Sequence, residues 1–231
     1  MIKKIEIAGV KLDNYSVREL LTMIEKTMDS SALKTIEEVT MGMILAAEKD
    51  EQYREIIEGL DYSILSEIGI LSAIGETSLQ RRHEVEESSF FYEFFKRLER
   101  NKKSIFIIGE TVKKIQEIQE VVKDNFPNIQ IVGTKAEEEC VGALDAMVND
   151  INVATPDVIF SVMPSPNQEN FLRDYKSLIN ATIWYGVGDE KNFATKKTVW
   201  KKIKNAVKFK QFKKTVIDIE TQKIHKEEVV R

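Results

Sequence analysis

The residues with the most to say about chemistry sit together in 157–172, which reads DVIFSVMPSPNQENFL. An apolar run from Asp157 to Met163 has strand character. Pro164 and Pro166 interrupt it, and Gln168 and Glu169 then open a helix. Where a strand empties into a helix N-terminus, unpaired N–H groups and the helix dipole favour anions, and open α/β sheets place ligands there. An amide beside a carboxylate at that turn could hold a nucleotide base or sugar hydroxyls. The same pair also suits an ordinary first helical turn, where the dipole favours acids.

Other chemistries have little to work with. The chain of 231 residues carries one cysteine, Cys140, and two histidines, His83 and His225. A Ser–His–Asp triad, a His-rich metal site and an internal disulfide are therefore not expected. Cys140 reads as a small residue near a helix. Apolar residues make up 42% and charged residues 31%, enough for a core in a water-facing chain. No apolar run approaches the ~18 residues of a membrane span, and MIKKIEIAGV turns polar too soon for a signal peptide. The expected location is cytoplasmic, with a peripheral place at the inner face of the membrane in view.

The elements that must position Gln168 and Glu169 follow from periodicity. Ile5–Val10 reads as a strand, 11–15 as a turn, and Ser16 with Glu19 as a capping box before Leu20, Leu21, Ile24 and Met28. Strands are expected at 35–39 and 62–65, and an amphipathic helix at 90–100. Beyond it the pattern is regular: strand 104–108 ending at Gly109, helix 111–126, strand 129–132 ending at Gly133, helix 137–151, strand 157–163, helix 167–178, and strand 181–187 ending at Gly188. Apolar strands alternating with helices predict a Rossmann-like α/β fold, a mostly parallel sheet with helices on both faces. The composition changes near residue 190, so the expected organisation is a domain over 1–190 and a basic amphipathic appendage over 191–231. Lys196–Lys214 holds nine lysines and no acid, with Val199, Trp200, Ile203, Val207 and Phe212 near one helical face. That stretch suits a solvated helix face or an anionic membrane surface. The net charge of −4 argues against nucleic acid. The alternation in 215–220 and 223–229 suggests a hairpin or an edge strand.

Several segments, taken in order, resemble the WecG/TagA/CpsF glycosyltransferases. They are IEIAGVKLDNYSVRELL, AAEKDEQYREIIEGLDYSI, IFIIGET, FPNIQIVGT, SPNQENF and WYGVGDEKNF. The resemblance covers residues 3–190 and implies transfer of a sugar from a nucleotide donor to a lipid-linked acceptor at the bacterial membrane. It implies no metal cofactor, with the UDP-sugar as substrate, and no Asp-x-Asp metal motif stands in the sheet's loops. It also implies that the appendage approaches the membrane, and that the protein self-associates or partners an active transferase.

Carried over residue by residue, the resemblance marks Thr40, Gly109, Pro166, Gln168, Glu169, Gly186 and Gly188 as substrate-binding. Gly133 belongs to the same skeleton. The chain departs from the family where the catalytic carboxylate is expected: that position is Ser66, followed by Glu67. A serine hydroxyl has no useful basicity near neutral pH, so Glu67 is the candidate base. The family's arginine-bearing loop becomes 83–89, where Glu84, Glu86 and Glu87 would repel a diphosphate. Lys196, Lys197, Lys201 and Lys202 are the replacement cations for phosphate or membrane. Two readings stay open: a UDP-sugar transferase making a cell-wall or surface polysaccharide, with an N-acetylhexosamine as the expected sugar, and a catalytically inactive relative serving as a binding or partner subunit.

Overall fold

The structure, a computed structural model, describes residues 4–27, 32–188 and 208–222. The chain opens with a hairpin, β1 (Lys4–Ile7) against β2 (Val10–Asp13). Sequence reading made this one strand and a turn. The reversal falls at Ala8 and Gly9, both with positive φ, as a two-residue hairpin loop requires. Helix α1 (Val17–Thr27) follows, capped as expected by Ser16 and Glu19.

Six parallel strands form the sheet: β3 (Lys34–Val39), β4 (Tyr62–Leu65), β5 (Ser104–Gly109), β6 (Gln130–Ala136), β7 (Val158–Val162) and β8 (Ile183–Gly186). Their order is β4-β3-β8-β7-β5-β6, every pair parallel. The Rossmann-like expectation is met. Between them run α2 (Met41–Lys49), α3 (Glu51–Glu58), α4 (Ile68–Ala73), α5 (Leu79–Glu86), α6 (Ser89–Arg100), α7 (Val112–Asn125), α8 (Asp145–Ala154) and α9 (Asn167–Tyr175).

The central strands are apolar on both faces because both faces are covered. Ile105, Ile107, Phe160 and Tyr185 pack with Leu20 and Leu21 of α1, the α6 phenylalanines, and Ile115 and Ile118 of α7. Phe106, Ile108, Ile159 and Trp184 pack with Met147 and Ile151 of α8 and Phe171 and Leu172 of α9. β6 runs on through Gly133 to Ala136, past the expected stop. The Phe106 ring fills the space a Cβ at Gly133 would need, so that glycine permits packing, not a turn.

The C-terminal expectation changes. Residues 208–222 are helical (α10), which excludes a strand over 215–220; 223–229 lies outside the described residues. The apolar side chains Phe209, Phe212, Val216 and Ile219 recur at helical spacing and pack with Met41, Ile70 and Leu71. The sequence alternation in 215–220 is incidental to this stripe. Among the described residues no helix is long and apolar enough to cross a membrane.

The N-terminal edge of the sheet is stapled twice by one device. Asp61, just before β4, takes the Lys34 ammonium at 2.9 Å and the Thr35 N–H at 3.0 Å. Asp157, just before β7, takes Lys103 at 2.9 Å and the Ser104 N–H at 2.8 Å. Partial burial pushes the Asp61 carboxyl up, but Lys34 and the Thr35 N–H and hydroxyl outweigh it and hold the group below its ordinary value. Its stabilisation is thus present above the ordinary carboxylate range and is lost as pH falls through the depressed value. Asp61→Asn is expected to cost about 1–2 kcal/mol in urea unfolding at neutral pH and less in acid, since hydrogen bonds to charged groups contribute on that scale. An equal loss at both pH values would refute the staple.

Candidate active site

The sheet reverses its winding between β5 and β7: β5 leads to β6 on one side, and β7 leads to β8 on the other. The crevice beyond the carboxyl ends of such strands is the usual ligand position in this architecture. Of the described residues singled out from sequence, Gly133 lies within β6 and away from this edge, while Thr40, Ser66, Glu67, Pro166, Gln168, Glu169 and Gly186 lie along it in two groups.

The first group stands at the ends of β3 and β4. Thr40 caps α2, its hydroxyl accepting from the Met43 N–H at 3.2 Å. Glu67 crosses from the end of β4, and its Oε2 accepts the Met41 N–H in the same helical turn. Ser66 donates its hydroxyl to the Val39 carbonyl at 2.8 Å. Thr40, Ser66 and Glu67 are therefore brought together: the Ser66 and Glu67 hydrogen bonds join the two strand ends, and Thr40 caps the helix that follows β3.

Beside Ser66 is a cavity of about 30 Å³, room for about one water, lined in part by Glu38, Arg81, Glu84 and Ser88. Sequence reading made 83–89 an acidic loop that repels phosphate. Residues 83–86 instead belong to helix α5, and Glu84 is tied at 2.6 Å to Arg81, one turn earlier. Glu84 also accepts the Val17 N–H at the start of α1, while Arg81 reaches Asn14. A guanidinium thus lines the cavity after all. It was missed because the i,i+3 pairing matters only once the segment is a helix. Glu86 and Glu87 are exposed.

The second group surrounds the first turn of α9. Ser165, Pro166 and Asn167 are exposed at the rim, while Gln168 and Glu169 are buried. A Cβ on Gly186 would lie 2.5–2.8 Å from the Gln168 amide, so the missing side chain is what lets Gln168 lie on the sheet. Glu37, in register with Gly186, is fully buried and accepts the Trp184 indole N–H at 3.0 Å. Glu169 accepts the Ser165 hydroxyl at 2.6 Å. Tyr53 of α3 completes the cluster, its phenol pushed up by burial and by the Glu169 charge. Gln168 and Glu169 face inward and shape the rim through the turn they anchor. Glu37, Tyr53 and Trp184 were not singled out from sequence. The available signal is a pair of acids, Glu37 and Glu38, set between Ile36 and Val39 in a strand.

The remaining glycines divide. Gly109 is held by packing, since a Cβ there would sit 3.0 Å from both Ile115 and Val162. Gly188 has φ of +68°, which favours glycine, and follows β8 near the Met163 carbonyl. Lys196, Lys197, Lys201 and Lys202 lie outside the described residues. Among the described residues no group of three or more His, Cys, Asp or Glu is gathered as for a metal.

Gly186→Ala is expected to push the Gln168 amide off the sheet and to cost about 1–3 kcal/mol, as overpacked cores do. Thermal unfolding measures this, and Gln168→Ala in the same background should recover part of the loss. An undiminished melting temperature in Gly186→Ala would contradict the seating.

Comparison with known sequences bears on the whole of this body. The model of the glycosyl transferase WecG/TagA/CpsF family matches residues 5–200. A Staphylococcus aureus (strain NCTC 8325 / PS 47) protein, N-acetylglucosaminyldiphosphoundecaprenol N-acetyl-beta-D-mannosaminyltransferase, is 23% identical over 191 residues, covering 80% of this chain and 73% of the relative. A Bacillus subtilis (strain 168) protein of the same description is 23% identical over 183 residues, 79% of this chain and 71% of the relative. The match runs from the first hairpin through every strand of the sheet and both groups of the crevice. The chain belongs to the WecG/TagA/CpsF glycosyl transferase family.

Proposed function

We propose that this protein transfers a sugar, an N-acetylhexosamine, from a UDP donor to a polyprenyl-diphosphate-linked sugar during assembly of a cell-wall or surface polysaccharide. The observation that carries the reading is the family match over residues 5–200, together with the description of both relatives as transferases acting on an undecaprenol-linked diphosphate.

In this reading the donor diphosphate lies along the crevice at the ends of β5 and β7, beside the N-terminal turns of α7 and α9, whose dipoles favour an anion. The acceptor hydroxyl oxygen attacks the anomeric carbon. The bond from that carbon to the terminal phosphate oxygen breaks, and UDP leaves with the electron pair. The hydroxyl proton passes to a carboxylate, and Glu67 is the candidate because it stands at the end of β4 beside Thr40 and Ser66. Lysines of 196–202 are the proposed cations for the leaving diphosphate, and no metal takes part. The acceptor's lipid keeps the reaction at a membrane surface.

One observation favours the alternative of an inactive partner subunit. The Ser66 hydroxyl is spent on the Val39 carbonyl, and one Glu67 oxygen is engaged at the α2 N-terminus, so neither group is aimed wholly at the crevice.

Glu67→Gln decides between the readings, because its amide oxygen can still accept the Met41 N–H. For a transferase it should lower kcat about 10²–10⁴-fold, the usual contribution of general base catalysis, with Ser66→Ala changing little. Turnover should persist in EDTA. Wild-type turnover with a fully active Glu67→Gln would remove Glu67 as base. Absence of transfer from any UDP-N-acetylhexosamine to a polyprenyl-diphosphate sugar would support the inactive reading.

A further inference from the structure

Four buried polar atoms meet beneath the first turn of α9 without a hydrogen-bond partner in the described structure: Glu37 Oε2, Glu169 Oε2, Gln168 Oε1 and the Tyr53 hydroxyl. Glu37 and Glu169 are each fully buried. Each carboxyl has one oxygen satisfied from its own side, Glu37 by the Trp184 indole and Glu169 by the Ser165 hydroxyl. The two remaining oxygens belong to groups within hydrogen-bonding reach of one another.

The groups facing the pair come from four elements: Trp184 of β8, Tyr53 of α3, Gln168 of α9 and Ser165 in the turn before α9. None is a cation. Two carboxylates within hydrogen-bonding reach and out of water repel too strongly for both to be charged there.

We infer that Glu37 and Glu169 hold one proton between them, and that this shared proton seats Gln168 and the α9 turn against β3 and β8. The two are positioning residues for the crevice rim; that part of the inference rests on the donor reading above. A proton on Glu37 gives that carboxyl a donor toward Glu169, beside the Tyr53 hydroxyl that faces the same carboxyl. Burial, and then the Glu169 charge, push Glu37 well above the ordinary carboxylate range, while Glu169 is pushed up by burial and held back by the Ser165 hydroxyl. The sign follows. A carboxyl raised on folding stabilises fully below its unfolded value, and that contribution is lost as pH rises through the folded value. Alkaline pH should therefore separate α9 from β3.

Trp184 is a built-in reporter, because its indole donates to Glu37. In a Trp200→Phe background, emission should titrate as pH rises above neutral. Glu37→Gln keeps an acceptor for Trp184 and supplies a permanent donor to Glu169, so it should abolish that titration. An unchanged titration in Glu37→Gln would overturn the shared proton. Should the variant not fold, infrared difference spectra of the wild type decide instead: a protonated buried carboxyl band lost at alkaline pH supports the pair, and its absence at neutral pH refutes it.

The positioning role is read separately from UDP affinity by calorimetry. Wild-type affinity should weaken several-fold along the same titration and stay flat in Glu37→Gln. Affinity independent of pH while Trp184 titrates would overturn the positioning role. No UDP binding at neutral pH would overturn the donor reading and the role built on it, leaving the proton to the optical tests.

Discussion

A missing Cβ at Gly186 organises the carboxyl edge of this molecule's sheet. The Gln168 amide lies where that Cβ would be, and the seat it takes fixes the first turn of α9 on the ends of β3 and β8. From that contact follow the burial of Glu169, its approach to Glu37, and the exposure of Ser165, Pro166 and Asn167 at the crevice rim. A polar group laid on a buried strand costs free energy unless it is hydrogen-bonded, so the turn needs the partners clustered around it. The residues that look most like ligand-binding groups in the sequence are thus mainly the foundation of the rim.

The opposite edge is built by simpler means. Asp61 and Asp157 each bind a lysine, a hydroxyl and a backbone N–H from the neighbouring strand's start, tying β3 to β4 and β5 to β7. One end of the sheet is locked by fully paired charges. The other carries glycines, helix N-termini and a carboxyl pair that no cation faces among the described residues. Division of this kind is expected where a fold keeps stability and ligand handling at opposite ends of its strands. α10 adds to the functional end: Phe209, Phe212 and Val216 pack beside Met41 and Ile70, next to the helices that Thr40 and Glu67 begin.

The sheet was legible because strands buried on both faces read as unbroken apolar runs, as in IFII and VIFSV. Boundaries failed where a distant side chain decided them. Gly133 looks like a strand end until the Phe106 ring is known to lie over it. Residues 215–220 alternate like a strand, yet the longer stripe from Phe209 to Ile219 finds a core only as a helix. In the site, the family pattern singles out Thr40, Ser66, Glu67, Gln168 and Glu169 but says nothing about which way they face. Glu37 was invisible, since its partners Trp184 and Glu169 lie more than a hundred residues away and a charged residue mid-strand normally signals solvent. Arg81 was overlooked because aligned position, not helical geometry, was compared.

The crevice between β5 and β7 is the proposed donor site. A crystal structure of the protein with UDP tests this most directly. The expected result is a diphosphate at the carboxyl ends of those strands, against the turns that follow Gly109 and Met163, with Gln168 still on Gly186. UDP bound at the Asp61–Asp157 edge, or away from the strand ends altogether, would contradict it.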